Sequence, residues 1–224
     1  MSEELGKIEK PPVDEFKSGR RILFVPLIFS GREMPAEYYE KCNNYWEQVD
    51  SQLAGLEANL GSVKHIFHEL VSDVGETGLK SLEEMKMRDL EIVRKRVSQG
   101  TILESTEDHE ILDEIMDWTR CLSAGLQSQK AFSVAYNAYT EANKKRYETI
   151  SKKISEALKE NELAIVILGE NHRVQFPADA RIFYVAPPAL DALQRWVRDF
   201  EAKQQGAADK AAPQKEEKPE EPGN

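Results

Sequence analysis

The chain has 224 residues, with 30 Lys+Arg against 40 Asp+Glu and a formal net charge of −10. That acidic balance excludes a surface built to coat nucleic acid, which needs a basic face. The longest apolar run, Ile22 to Phe29, falls far short of the roughly 18 residues that a membrane-crossing helix requires. The opening stretch from Met1 to Lys7 lacks the apolar core of a secretory leader. Cys42 and Cys121 are too few for a disulfide framework and read as reduced core residues, so a cytoplasmic protein is expected. About 200 foldable residues suffice to bury a core without disulfides or metal.

Residues 1–19, with Lys10-Pro11-Pro12 and no apolar periodicity, read as a flexible lead-in. The continuous apolar run Ile22-Leu23-Phe24-Val25 is that of a strand covered on both faces, ended or turned to an edge by Pro26. A loop from Gly31 to Met34 leads to Pro35, well placed for a helix start. Tyr38, Cys42, Tyr45, Val49, Leu53, Leu56 and Leu60 recur at three and four, predicting an amphipathic helix closed by Gly61. Val63 to Val71 is the second strand. Leu79, Leu82, Met85, Leu90, Val93 and Val97 predict one further helix stopped by Gly100, and Thr101 to Glu104 a short third strand.

Thr106-Glu107-Asp108 has the capping hydroxyl and acids of a helix N-terminus. Ile111, Leu112, Ile115, Met116, Thr119 and Leu122 form the stripe of that helix. No Gly or Pro interrupts Leu126 to Asn161, which predicts an extended helical arm or hairpin over about 106–161. Phe132, Ala135, Tyr136, Tyr139, Tyr147, Ile150, Ile154 and Leu158 are assigned to its packed side. Leu163–Leu168 is the strongest central-strand signal, Arg181 to Ala186 another strand, and Pro187-Pro188 opens a last helix. From Ala202 to Asn224 the composition predicts a disordered polar tail. Alternating strands and helices define an α/β fold: a mainly parallel sheet flanked by helices, with the arm between the third and fourth strands, in one domain over 20–201.

Open parallel sheets bind ligands beyond the carboxyl ends of their strands. Those ends carry Ser30, Arg32 and Glu33; His68 and Glu69; Glu104, Glu107, Asp108 and His109; and Gly169-Glu170-Asn171-His172-Arg173. His172 suits metal ligation or proton transfer near neutral pH, with a polar turn as the competing reading. Glu69, late in an apolar strand, must be paired or ligating. In an extended strand His65 and Glu69 share a face that His68 does not. The acids from Glu104 to Asp108 read chiefly as helix-start charges, Arg94-Lys95-Arg96 and Lys144-Lys145-Arg146 as solvated helix faces, and the arm tyrosines as packing. The P-loop, G-x-G-x-x-G, G-x-S-x-G, H-E-x-x-H and C-x-x-C patterns are all absent.

Gly169-Glu170-Asn171-His172 and the Glu69 of His68-Glu69-Leu70 resemble the later G-x-x-H motif and the intervening glutamate of the TraB/PrgY/Tiki group, with its erythromycin-esterase-like and ChaN-like relatives. Where that group carries its earlier motif, this chain reads Pro26-Leu27-Ile28-Phe29, with phenylalanine in place of histidine. The resemblance implies a metal-dependent hydrolase ancestry. Glu69 and His172 would be ligands or catalytic groups for a divalent metal such as Zn or Mn, with Glu170 in support. Two functions are therefore expected. The preferred one is a non-catalytic binding protein that acts through a protein partner or self-association along the arm; the other is a metal-dependent hydrolase or peptidase using Glu69 and His172.

Overall fold

The structure, a computed structural model, describes residues 18–29 and 34–211, with side chains to 205. The Lys10-Pro11-Pro12 lead-in, the Gly31-Arg32-Glu33 part of the first loop and the tail beyond 211 lie outside the described residues. The elements run β1 (Arg21–Pro26), α1 (Ala36–Leu60), β2 (His65–His68), α2 (Gly75–Glu84), α3 (Leu90–Ser98), β3 (Ile102–Leu103), α4 (His109–Ser123), α5 (Gln129–Ala157), β4 (Leu163–Leu168), β5 (Arg181–Tyr184) and α6 (Pro188–Ala211).

The strands form one sheet in the order β3-β2-β4-β1-β5, with every pairing parallel. β2 and β4 lie side by side with Ile66 opposite Ile165 and His68 opposite Ile167. Side chains alternate across the sheet as the strand period requires. Leu23, Val25, Leu163, Ile165 and Ile167 face a core shared with α1, α2, α3 and α6. Ile22, Phe24, Phe67, Ala164, Val166 and Leu168 face the opposite core, closed by Ile150 and Ile154 of α5, by Leu158 just past its end and by Val174. The result is a three-layer α/β/α body.

α1 follows its sequence pattern: Tyr38, Cys42, Tyr45, Val49, Leu53 and Leu60 are buried, and Gly61 ends the helix at φ 102°, a left-handed conformation natural to glycine. Three expectations are corrected. The single helix drawn through Leu79 to Val97 is two, broken at Lys86, whose φ is 55°. The break starts α3 behind Asp89, whose side chain is drawn wholly inside to meet His68. α4 is capped by Asp108, which accepts from the Ile111 amide at 3.2 Å, while Thr106 turns inward to accept from the His68 amide at 2.9 Å. Finally, α6 runs past the Ala202 boundary to Ala211.

α4 and α5 form an antiparallel hairpin. α5 has 29 residues, a rod of roughly 43 Å at 1.5 Å per residue. Only its C-terminal part lies on the sheet. From Arg146, at the level of the strand ends, the rest continues with α4 as an arm.

Candidate functional site

The carboxyl ends of β2, β3 and β4 meet at one rim, held by a single cation. Arg146 Nε donates to both Glu107 carboxylate oxygens, at 3.0 and 2.9 Å, and its Nη2 donates to Glu69 Oε1 at 2.8 Å and to Glu107. The Glu107 side chain is fully enclosed. Burial works against the Arg146 charge, but the hydrogen bonds and charges of Glu107 and Glu69 outweigh it and raise its pKa. Lys153 donates to Ser105 Oγ at 3.1 Å and to the Glu107 carbonyl, with its pKa lowered by burial.

This network also fixes the backbone. Glu69 Oε2 accepts from the Gly169 amide at 2.6 Å, joining the ends of β2 and β4. Leu70 sits in the left-handed region at φ 69°, and its amide donates to Glu107 Oε1 at 3.3 Å. Such a conformation in a non-glycine residue costs on the order of 1–3 kcal/mol and persists because surrounding contacts hold it. Glu69 is thus paired, one of the two roles its position demanded.

His68 and Asp89 form a second buried pair, with Nε2 2.7 Å from Asp89 Oδ2 and both side chains inaccessible to solvent. The other ring nitrogen, Nδ1, faces the Glu69 carbonyl. A carbonyl only accepts, so Nδ1 carries a proton; a carboxylate opposite Nε2 favours one there too. Burial opposes this charge, and Asp89 with the Glu69 carbonyl overcomes it, raising the His68 pKa. Asp89 Oδ1 has no hydrogen-bond partner among the described residues. His65 is held likewise between Glu104 (2.7 Å) and Glu162 (3.2 Å), and the Glu104 hydrogen bond leads in raising its pKa against partial burial.

His172 is placed differently. Its amide donates to the Gly169 carbonyl at 3.1 Å, and its Nδ1 accepts from the Val174 amide at 3.1 Å. The ring packs between Phe24 and Phe176, at 5.0 and 5.5 Å between centroids. Burial lowers its pKa, partly offset by the Glu69 charge, so the ring is neutral with one nitrogen already committed. Glu170 is exposed and accepts from the Tyr184 hydroxyl at 2.5 Å and from Gln194 Nε2 at 2.6 Å. His109 is exposed, 3.3 Å from Asp73.

Glu69 and His172 therefore reach the same rim, as parallel β2 and β4 require, without forming a ligand pair. Both Glu69 oxygens are engaged with Arg146 and Gly169, and His172 Nδ1 is taken by backbone. Among the described residues no group of three His, Cys, Asp or Glu side chains is arranged to hold a metal. The donor set does not fit a divalent ion, and the rim is an internal ion network.

Two central residues escaped the sequence reading. Arg146 and Arg96, both assigned to solvated faces, are buried. Arg96 donates to Glu57 at 2.8 and 3.1 Å and to Asp50 at 2.9 Å, clamping α3 to α1. Arg96 lies three residues after Val93 and Arg146 four before Ile150, both apolar stripe positions, so the helical phase carried the signal that the basic run obscured. The packed side assigned to the arm holds for Tyr147, which packs against the α5-side core, and is corrected nearer the tip. Phe132 and Tyr136 are 41% and 52% exposed, and Tyr139 and Tyr147 are half-buried along a groove beside Arg173.

No family model, no curated protein and no solved structure matches this chain. Fold and rim define a class on their own: an all-parallel α/β protein whose strand-end crevice is tied shut by ion pairs and prolonged by a helical hairpin. No helix among the described residues is long and apolar enough to cross a membrane.

Proposed function

We propose that this chain is a non-catalytic interaction protein of the cytoplasm that acts through the α4–α5 hairpin, and that its partner there is a second copy of itself. The observation that carries this reading is the uncovered apolar side of the arm. Only Ile111 of α4 is buried, although that helix has the stripe of one that packs. Met116 and Val134 are 52% and 58% exposed. Near the tip, Trp118, Cys121, Leu126, Ala131 and Val134 line an apolar groove of about 440 Å³. Exposed apolar surface collected on one projecting element marks a contact site.

Charge favours a like partner. α4 carries Glu110, Asp113, Glu114 and Asp117 against Arg120, a balance of −3. Before the buried Arg146, the arm part of α5 carries Lys130, Lys144 and Lys145 against Glu141, a balance of +2. Two hairpins related by a two-fold axis can set the acidic helix of each against the basic helix of the other, as isologous contacts do. The arm parts of the two helices together carry only −1 on a chain of net charge −10, so copies meet there with little repulsion. The non-catalytic half rests on the commitments of Glu69, His68 and His172 to internal partners.

Sedimentation velocity over the micromolar range tests the reading. The expected result is a mass rising to twice the 25.5 kDa of one chain, with Val134→Glu and Met116→Lys remaining monomeric and melting as wild type does. A monomer at every concentration overturns self-association. Zinc or manganese retained stoichiometrically by the purified protein, and lost in His172→Ala, overturns the non-catalytic half.

A further inference from the structure

An open groove of about 720 Å³ lies above the carboxyl end of β4, between α5 and the loop from Asn171 to Gln175. Its size is within the range of small-molecule sites, about 300–1,000 Å³. Its walls come wholly from α5 and from the connection that follows β4, on the sheet face that carries Val174 and Phe176.

The lining has two kinds of chemistry side by side. Tyr136, Tyr139 and Tyr147 present phenol rings from α5. Lys144 from the same helix and Arg173 from the loop add two exposed cations. Neither cation has a salt bridge or side-chain hydrogen bond among the described residues, whereas Arg96 and Arg146 are fully engaged. Glu148, also exposed and without a salt bridge or side-chain hydrogen bond among the described residues, supplies a carboxylate at the same edge. Aromatic faces stack planar rings, cations hold an anionic group, and a carboxylate accepts from hydroxyls. The glycine-rich phosphate loops are absent from the sequence, so an anion here would be held by side chains.

We infer that this groove binds a nucleoside monophosphate, with the base among Tyr136, Tyr139 and Tyr147, the phosphate on Lys144 and Arg173, and a ribose hydroxyl donating to Glu148. The site shares no lining residue with the apolar tip groove.

The test is calorimetric titration of the full chain with AMP, adenosine and inorganic phosphate. AMP is expected to bind saturably at one per chain, with adenosine and phosphate each about tenfold weaker or worse. Lys144→Ala and Arg173→Ala, both at exposed positions that leave the thermal melt unchanged, should weaken AMP about tenfold without altering adenosine. Tyr139→Ala should weaken AMP and adenosine alike. Val134→Glu should bind AMP as wild type does, which separates this site from the self-association surface. No saturable AMP binding up to about 1 mM, phosphate binding as tightly as AMP, or AMP binding indifferent to both cation substitutions overturns the assignment.

Discussion

Ile150 and Ile154, in the last turns of α5, are at most 1% exposed against the sheet, whereas Phe132, Val134 and Tyr136 in its first turns are 41% to 58% exposed. One uninterrupted helix thus passes from the interior of a three-layer body to an arm whose apolar side is uncovered. Arg146 marks the transition, at the height where the strands end. The difference divides the helix: its lower part is closed into a core with the sheet, and its upper part carries Phe132, Val134 and Tyr136 largely uncovered. Substitutions along this one helix can therefore break or sharpen the contrast.

The largest effect is expected at the junction. Arg146→Met leaves the enclosed Glu107 carboxylate without its counter-charge, and removing one partner of a buried pair costs about 3–5 kcal/mol. Urea denaturation should show that loss, and Arg146→Met combined with Glu107→Gln should recover most of it. Equal destabilisation in the single and double variants would mean that packing, and not charge, holds the arm to the rim.

A somewhat smaller loss is expected below the junction. Ile154→Ala empties a fully buried site and should cost about 2–5 kcal/mol, while Val134→Ala in the arm should stay within about 0.5 kcal/mol in the monomer. Similar costs at the two positions would contradict the division of α5.

The pH response is smaller again. His68 and His65 have pKa values raised in the folded state. Their contribution is complete below the unfolded value of about 6.5 and is lost as pH rises through the folded values. His172 is shifted the other way, so its contribution is present above about 6.5 and lost as pH falls. Urea midpoints should therefore decline on the alkaline side, and His68→Asn should flatten that decline by lowering the midpoint on the acid side, where the pair contributes, more than on the alkaline side. An alkaline limb unchanged by His68→Asn would remove the buried imidazolium–carboxylate pair from the account.

Much of the body was legible from the sequence because its signals are local. The apolar run of β4, the stripe of α1 with Gly61 behind it, and the proline-led start of α6 each reflect burial of one face or both. The parallel neighbourhood of β2 and β4, and the arrival of Glu69 and His172 at a common rim, followed from the α/β pattern. What stayed hidden depends on tertiary partners. A basic run such as Lys144-Lys145-Arg146 does not announce that its third member is buried against Glu69 and Glu107. Nor does Asp89 announce the helix break that brings it to His68. The tyrosines of the arm have the spacing of a packed stripe, and only the absence of a layer above the rim leaves them at a groove.

Concentration-dependent hydrogen exchange tests the central claim most directly, because it reads both parts of α5 in one experiment. Pairing of arms predicts that amides of residues 116–136 gain protection as the protein is concentrated through the micromolar range, while those of residues 150–158 stay as they are. Protection in the arm that is independent of concentration, from dilute monomer upward, would contradict it.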